Sequence, residues 1–297
     1  MNFWEILALF SSALAAGAIN AVAGGGTLLT FPALLFTGTG AVVANATSSF
    51  ALTMGTAGSL FGYRKQWATT RIWLRRFVPV SIVFSLLGSW LVKSQGEATF
   101  IKVVPWLLLF ATILFLAQGP LKKWRERKML LAALAKQTPE TPAGSTSGET
   151  SGDIIVNPAA ESPAPEVSGR LDGATLSVAA CVGLQAGVAL YGGYFGAGIG
   201  ILMLAVMGFM GMADIHKMNA LKNMLALVIN GTAALFFAAT GLVDWPRMAI
   251  MLVGAVIGYW LGAHFSQKIP QAAVRGIVVA VGLVISGAMF WKVLSGG

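Results

Sequence analysis

The chain has 297 residues, of which 56% are hydrophobic and 10% are charged, and its mean hydropathy is +0.76. Soluble domains carry about 25% charged residues, so this composition excludes a soluble globular protein and predicts an integral membrane protein. The formal net charge of +9 comes from basic residues that flank apolar segments, which is typical of membrane topology and gives no reason to expect a nucleic-acid partner.

The first half contains five apolar segments, at about 4–23, 27–39, 45–63, 74–92 and 103–118. The first follows no Lys or Arg and is interpreted as a retained membrane helix rather than a cleaved signal peptide. A crossing helix needs about 20 apolar residues, so the segment at 27–39 is too short to cross comfortably alone. It directly follows a glycine triplet, and Pro32 within it favours a kink.

Residues 119–173 differ from the segments on either side. Five basic residues open the stretch, and a region rich in Pro, Ser, Thr, Gly and Glu follows from 137 to 169. Such a composition cannot bury enough apolar surface to offset the entropy of ordering, so it predicts a flexible cytoplasmic linker. We therefore expect three parts: a first membrane repeat at 1–118, the linker at 119–173, and a second membrane repeat at 174–297.

The second half also contains five apolar segments, at about 174–194, 199–212, 218–241, 246–265 and 272–294. Its second segment is again short and again follows a cluster of glycines. The two short segments therefore predict an all-α membrane protein with broken helices that meet near the midplane. The alternative is that the glycines only allow close helix packing.

Each glycine cluster belongs to a motif that occurs twice in the sequence. Gly24 and Gly26 correspond to Gly196 and Gly198, and about 20 residues later Asn45 corresponds to Asn219. Interrupted apolar segments at matching places of two halves are a pointer to a transporter's binding site, because unwound backbone there can face a substrate.

Basic residues in the short loops predict the orientation of the chain. Arg71 and the basic start of the linker fall on one side, and Lys93 falls on the sparser side. Because basic loops favour the cytoplasm, this pattern fits ten crossings with both termini outside. Five segments per half is an odd number, so the halves would be inverted relative to each other. Two re-entrant short segments would lower the number of crossings.

The candidate site is small and suited to an anion. No carboxylate is centred in a predicted span, whereas Lys222 lies inside the eighth segment. Two interpretations stay open for Lys222: a cation that pairs with an anionic substrate, or a lysine that snorkels to the interface. Helix N-termini after the glycine clusters would add unpaired N–H groups. The substrate-binding residues expected on this basis are Asn20, Gly24, Gly25, Gly26, Thr27, Asn45, Thr47, Ser48, Ser49, Gly196, Gly198, Asn219, Lys222 and Asn223.

The sequence resembles the TauE/SafE (TSUP) family of sulfite exporters. The resemblance rests on Asn20-Ala-Val-Ala-Gly-Gly-Gly-Thr27, on Ala44-Asn-Ala-Thr-Ser48, and on Phe195-Gly-Ala-Gly198 with Asn219-Ala-Leu-Lys-Asn223. It covers both membrane halves but not the linker. It implies two related halves and the movement of sulfite or other small sulfur-containing or organic anions across the bacterial cytoplasmic membrane.

We therefore expect a multi-pass secondary transporter of the bacterial inner membrane that exports sulfite or organosulfonates by alternating access. The alternatives are a passive anion channel and a carrier of small carboxylates. No enzyme activity, cofactor or metal is expected, because no catalytic or metal-ligand constellation stands in the spans. The expected partners are the small anion, the lipid bilayer, and H⁺ or Na⁺ as the candidate coupling ion. The oligomeric state is left open.

Overall fold

The computed structural model describes residues 1–22, 25–57, 67–137, 177–210, 212, 215–265 and 271–295. The elements within these ranges are all helices, as the sequence predicted. They are α1 (Phe3–Val22), α2 (Thr27–Phe36), α3 (Ala41–Ala57), α4 (Trp67–Gln137), α5 (Val178–Tyr194), α6 (Ile199–Phe209), α7 (Ile215–Ala239), α8 (Trp245–Phe265) and α9 (Gln271–Leu294).

Four stretches in the described part of the chain are long and apolar enough to cross a membrane: Phe3–Ala21, Arg71–Ala117, Lys217–Ala239 and Trp245–Gly262. The second has 47 residues and would extend about 70 Å as one straight helix, more than twice the roughly 30 Å of a bilayer core. The shorter apolar helices include α2 and α6, which follow the two glycine clusters. The chain is thus an integral multi-pass membrane protein.

Helix α4 is folded back on itself at Gly96, whose φ of 71° and ψ of 175° are not helical. A Cβ on Gly88 would approach the carbonyl oxygen of Leu190, while the ring of Phe110 lies 5.3 Å from that of Tyr191. In a straight helix, residues 88 and 110 would be about 33 Å apart. The first arm (67–95) and the second arm (97–137) therefore run in opposite directions and correspond to two predicted segments.

The second arm corrects one predicted boundary. The sequence placed the end of this segment at 118, whereas the helix continues to Gln137. Residues 121–136 are mainly Leu, Ala, Lys, Arg, Glu and Met, which favour helix, and the Pro/Ser/Thr-rich composition begins only beyond them. Most of the predicted linker, from 138 to 173, lies outside the described residues.

Glycines let α1 and α8 pack closely. Gly254, Gly258 and Gly262 are spaced by four, and a Cβ on each would collide with the backbone of α1, at the carbonyl oxygens of Phe10, Leu14 and Ala18 respectively. Small residues at this spacing allow helix backbones to approach in membranes. Because the contacts advance together along both helices, α1 and α8 run parallel.

A second pair of helices packs in the same way. Gln185 Nε2 of α5 donates a hydrogen bond to Ser81 Oγ, and Ser89 Oγ donates to the carbonyl oxygen of Gly193, at 3.1 and 3.0 Å. Helix α5 is therefore parallel to the first arm of α4. Each predicted half thus packs its first helix on the fourth segment of the other half.

The remaining directions follow from contacts of α3. The backbone N–H of Asp244 donates to Thr47 Oγ1 at 3.0 Å, and Thr56 Oγ1 lies 2.5 Å from the hydroxyl of Tyr259, so α3 runs parallel to α8. Thr30 Oγ1 lies 2.5 Å from Ser48 Oγ, and the turn at 37–40 joins the two helices, so α2 and α3 are antiparallel. Cys181 is buried, as expected of a small apolar side chain.

Candidate functional site

Both predicted breaks are present as gaps between consecutive helices. Helix α1 ends at Val22 and α2 begins at Thr27, while α5 ends at Tyr194 and α6 begins at Ile199. The first turn of a helix leaves up to four N–H groups without an intrahelical acceptor and carries the positive end of the helix dipole. Each break therefore supplies a helix N-terminus inside the protein.

The backbone at the breaks requires glycine. Gly25 has φ of +94°, and Gly196 and Gly198 both have φ of +78°, a region that side chains with a Cβ rarely adopt. A Cβ on Gly25 would also overlap the ring of Phe115, which extends from the second arm of α4. At Gly25, therefore, both interpretations of the glycines apply: the helix is broken there, and the backbone packs closely against a neighbouring helix.

The Asn20 side chain stabilises the backbone at the first break, between α1 and α2. Its Oδ1 accepts a hydrogen bond of 2.7 Å from the backbone N–H of Gly26. This bond joins the last turn of α1 to the residue before α2. The second break is held differently, because the Tyr191 hydroxyl donates to the carbonyl oxygen of Ala197 at 2.8 Å.

A cavity of about 100 Å³ lies between the two breaks. Its walls come from both halves of the chain and are rich in hydroxyl and amide groups. The lining residues are Asn20, Gly25, Thr27, Ser49, Leu52, Thr53, Thr56, Phe115, Gly196, Gly198, Ile199, Gly200, Ile201, Lys222, Asn223, Ala226, Asn230 and Tyr259.

The charge at this cavity is positive. Among the described lining residues, Lys222 carries a formal charge at neutral pH, and none of the others is acidic or basic. A Cβ on Gly200 would lie 3.4 Å from Cδ of Lys222, so the lysine stem lies against the first turn of α6. The ammonium charge and the positive end of α6 therefore act in the same region.

The structure brings together most of the residues predicted for the site. Asn20, Gly25, Thr27, Ser49, Gly196, Gly198, Lys222 and Asn223 all line the cavity. Gly26 lies beside it through its bond to Asn20. Gly24 falls outside the described residues.

The other predicted residues lie outside this cavity. Asn45 is fully buried, and its Nδ2 donates to the carbonyl oxygen of Tyr194 at 3.0 Å. Thr47 and Ser48 make the bonds to Asp244 and Thr30 described above, so both connect α3 to neighbouring elements. Asn219 is half-buried on α7, one turn before Asn223.

Several lining residues were not predicted, and the repeat could have identified two of them. The offset that pairs Asn45 with Asn219 also pairs Thr56 with Asn230, and both line the cavity. Tyr259 and Phe115 come from segments outside the repeated motif. The only sequence signal for Tyr259 is a hydroxyl inside an apolar span, and Phe115 has no signal beyond hydrophobicity.

Membrane-spanning helices in the described part of the chain, with a cavity lined by polar groups between two broken segments, define a multi-pass membrane protein with a candidate solute site. The model of the family described as "Sulfite exporter TauE/SafE" matches residues 9–289. The chain belongs to this family, as its resemblance had indicated.

Two relatives are similar over nearly their whole length. A "Probable membrane transporter protein" from Haemophilus influenzae is 26% identical over 287 residues, covering 95% of this chain and 93% of the relative. The "Probable membrane transporter protein YfcA" from Escherichia coli K12 is 24% identical over 288 residues, covering 95% and 88%. No solved structure matches the chain. The family and these relatives indicate a membrane transporter, and neither relative is named as an enzyme.

Proposed function

We propose that the protein is a secondary transporter that exports small anions, with sulfite and organosulfonates as the preferred class, across the bacterial inner membrane. The observation that carries this proposal is the position of Lys222 at the first turn of α6, inside a cavity whose described walls contain no carboxylate. A cation transporter would need negative groups at this place.

The uncharged polar groups of the cavity favour an oxyanion as the ligand. The side chains of Thr27, Ser49, Asn223 and Asn230 carry hydroxyl or amide donors. The helix N-termini of α2 and α6 add the positive ends of their dipoles. At α2 the N–H groups of Gly26 and Leu28 already donate, to Asn20 Oδ1 and to the carbonyl oxygen of Gly25. Such a set of donors suits a compact ion with several oxygens.

The size of the cavity bears on the choice within this class. The central cavity, at about 100 Å³, is small. We therefore rank sulfite ahead of the larger organosulfonates in this conformation, and a small carboxylate remains the alternative substrate. The family name supports sulfite independently of the cavity.

We infer that transport proceeds by alternating access of two inverted repeats. The reciprocal packing of α1 on α8 and of α5 on the first arm of α4 supports a two-fold relation between the halves. As described above, α1, α3 and α8 run in the same direction and form one group. Near α2, Phe115 approaches Gly25, and Glu97 accepts a hydrogen bond from the N–H of Ala41, so α2 is antiparallel to the second arm of α4. The second group then contains α2 and α5, and the opposite directions of α1 and α5 support the proposed inversion.

The proposal is tested with purified protein in proteoliposomes. We expect radiolabelled sulfite uptake to saturate and to be accelerated by unlabelled sulfite on the opposite side, because a carrier exchanges its substrate. Flux that grows linearly with concentration and shows no counterflow would instead establish a channel. Acetate or another small carboxylate in place of sulfite separates the two substrate classes. Imposed H⁺ and Na⁺ gradients then identify the coupling ion.

A further inference from the structure

A second cavity of about 380 Å³ lies at the end of the molecule where α4 folds back. It is lined by α2, the turn at 37–40, the second arm of α4 and α9, and it shares no lining residue with the central cavity. Its walls are mainly apolar, with Pro32 and Leu35 on one side and Ile285 and Met289 on the other. The site therefore has room for a chain of apolar groups.

The polarity of this cavity changes along its length. Leu35 of α2 is followed by the turn that contains Thr39, and Ile101 of α4 lies one turn after Glu97. Both polar side chains thus stand at the fold-back end, while the apolar walls extend from there toward the middle of the membrane. This is the order of polarity in an amphiphile that stands upright in a bilayer.

Exposed aromatic residues indicate that the polar end lies at headgroup level. Trp291 is 76% exposed and stands two residues after Met289 on α9, and Phe36, which lines the cavity, is 82% exposed. Tryptophan is enriched where membrane proteins meet the headgroups. The cavity therefore opens to lipid at the depth where a phospholipid changes from headgroup to acyl chain.

Glu97 is exposed and has hydrogen-bonding capacity left for a ligand. Oγ1 of Thr39, in contrast, is buried and shielded from the cavity. The carboxylate of Glu97 accepts the backbone N–H groups of Ala41 and Val42, the latter at 3.0 Å. A carboxylate has about four acceptor positions, so Glu97 can accept further hydrogen bonds. It is also the charged residue among those that line the cavity.

We propose that this cavity is a binding site for a phospholipid with a primary ammonium headgroup, of the phosphatidylethanolamine type. The ammonium group donates to Glu97, and one acyl chain lies between α2 and α9. A choline headgroup has no N–H to donate, and an anionic headgroup is repelled by the carboxylate. This site goes beyond the proposed transport of anions and does not depend on it.

Native mass spectrometry of the purified, delipidated protein tests the proposal with phosphatidylethanolamine, phosphatidylcholine and phosphatidylglycerol that carry identical acyl chains. We expect the ethanolamine lipid to bind roughly two- to fivefold more tightly than the other two, as an ion pair at an exposed carboxylate provides. In Glu97→Gln this preference should disappear. Glu5→Gln, which removes a carboxylate from the start of α1, is the matched control and should keep it.

A second variant tests the apolar part of the same site. Ala288 lines the cavity on α9, and Ala288→Phe should fill it and weaken binding of all three lipids by a similar factor. Equal binding of the three lipids to the unmodified protein overturns the proposal. Retention of the ethanolamine preference in Glu97→Gln overturns it as well, and thermal unfolding of each variant without lipid confirms that the fold is intact.

Discussion

Replacement of Lys222 by alanine is the sharpest test of the proposed anion site. The change removes a positive charge from a cavity of about 100 Å³. At a separation of about 4 Å and an effective dielectric constant of about 20, two unit charges attract by about 4 kcal/mol. Desolvation of both ions offsets part of this, and hydrogen bonds to charged groups contribute about 1.5–3 kcal/mol net.

We therefore expect Lys222→Ala to weaken sulfite binding by about 10- to 150-fold, measured by isothermal titration calorimetry on protein in detergent. Lys222→Arg should restore the affinity only in part, because the stem of residue 222 lies close to Gly200 and a planar guanidinium does not replace a compact ammonium. Lys217→Ala is the matched control, since this lysine lies on the same helix and does not line the cavity.

Unchanged sulfite affinity in Lys222→Ala would refute this reasoning. It would identify Lys222 as a snorkelling lysine whose charge is used at the membrane interface. The helix N-termini and the Asn, Ser and Thr side chains would then bind the anion without a formal positive charge. Equal losses in Lys222→Ala and Lys217→Ala would point to the overall surface charge instead of a specific contact.

Three further predictions concern the breaks and the orientation. Gly25→Ala should abolish transport and lower the unfolding temperature, because a Cβ meets the ring of Phe115 at a positive φ; Gly187→Ala, where a Cβ meets nothing within 4 Å, should leave both unchanged. Phe115→Ala should enlarge the cavity and raise the flux of a larger organosulfonate relative to sulfite, and a constant ratio of the two fluxes would contradict a role in size selection. In a cysteine-labelling assay, Arg71→Cys should react only from the cytoplasm and Lys93→Cys only from the periplasm, and labelling from the opposite sides would overturn the orientation.

Hydrophobic segment length was a strong predictor of the helices in this chain. All ten predicted segments correspond to helices or helix arms among the described residues, because in a bilayer a crossing segment must satisfy its own backbone hydrogen bonds. Helix ends were less predictable. Lys93, Glu97 and Lys102 interrupt the apolar pattern, yet the helical arms approach Gly96 closely, since charged side chains at the membrane surface do not oppose helix formation.

The candidate site was predictable where the repeat marks it and not elsewhere. The glycine breaks and Lys222 can be read from the sequence, because broken helices and charges are costly in a membrane and stand out. Asn45 follows the same repeated motif, but it is fully buried and bonds to the carbonyl oxygen of Tyr194. Phe115 reaches the cavity only because α4 folds back, a tertiary relation that no local pattern contains.

The two halves differ at the position that matters most for an anion. Lys222 corresponds to Ser48 in the repeat, yet Ser48 is fully buried and bonds to Thr30, whereas Lys222 lines the cavity. The proposed two-fold scaffold therefore carries an asymmetric site, with its charge supplied by the second half. A second cation at the cavity would add a desolvation cost that a single small anion could offset only in part. Exchange of the two residues, Ser48→Lys with Lys222→Ser, should consequently fail to restore sulfite binding, since position 48 faces α2 and not the cavity. Recovery of wild-type affinity in this double variant would mean that the two positions are equivalent and that the cavity is not the site.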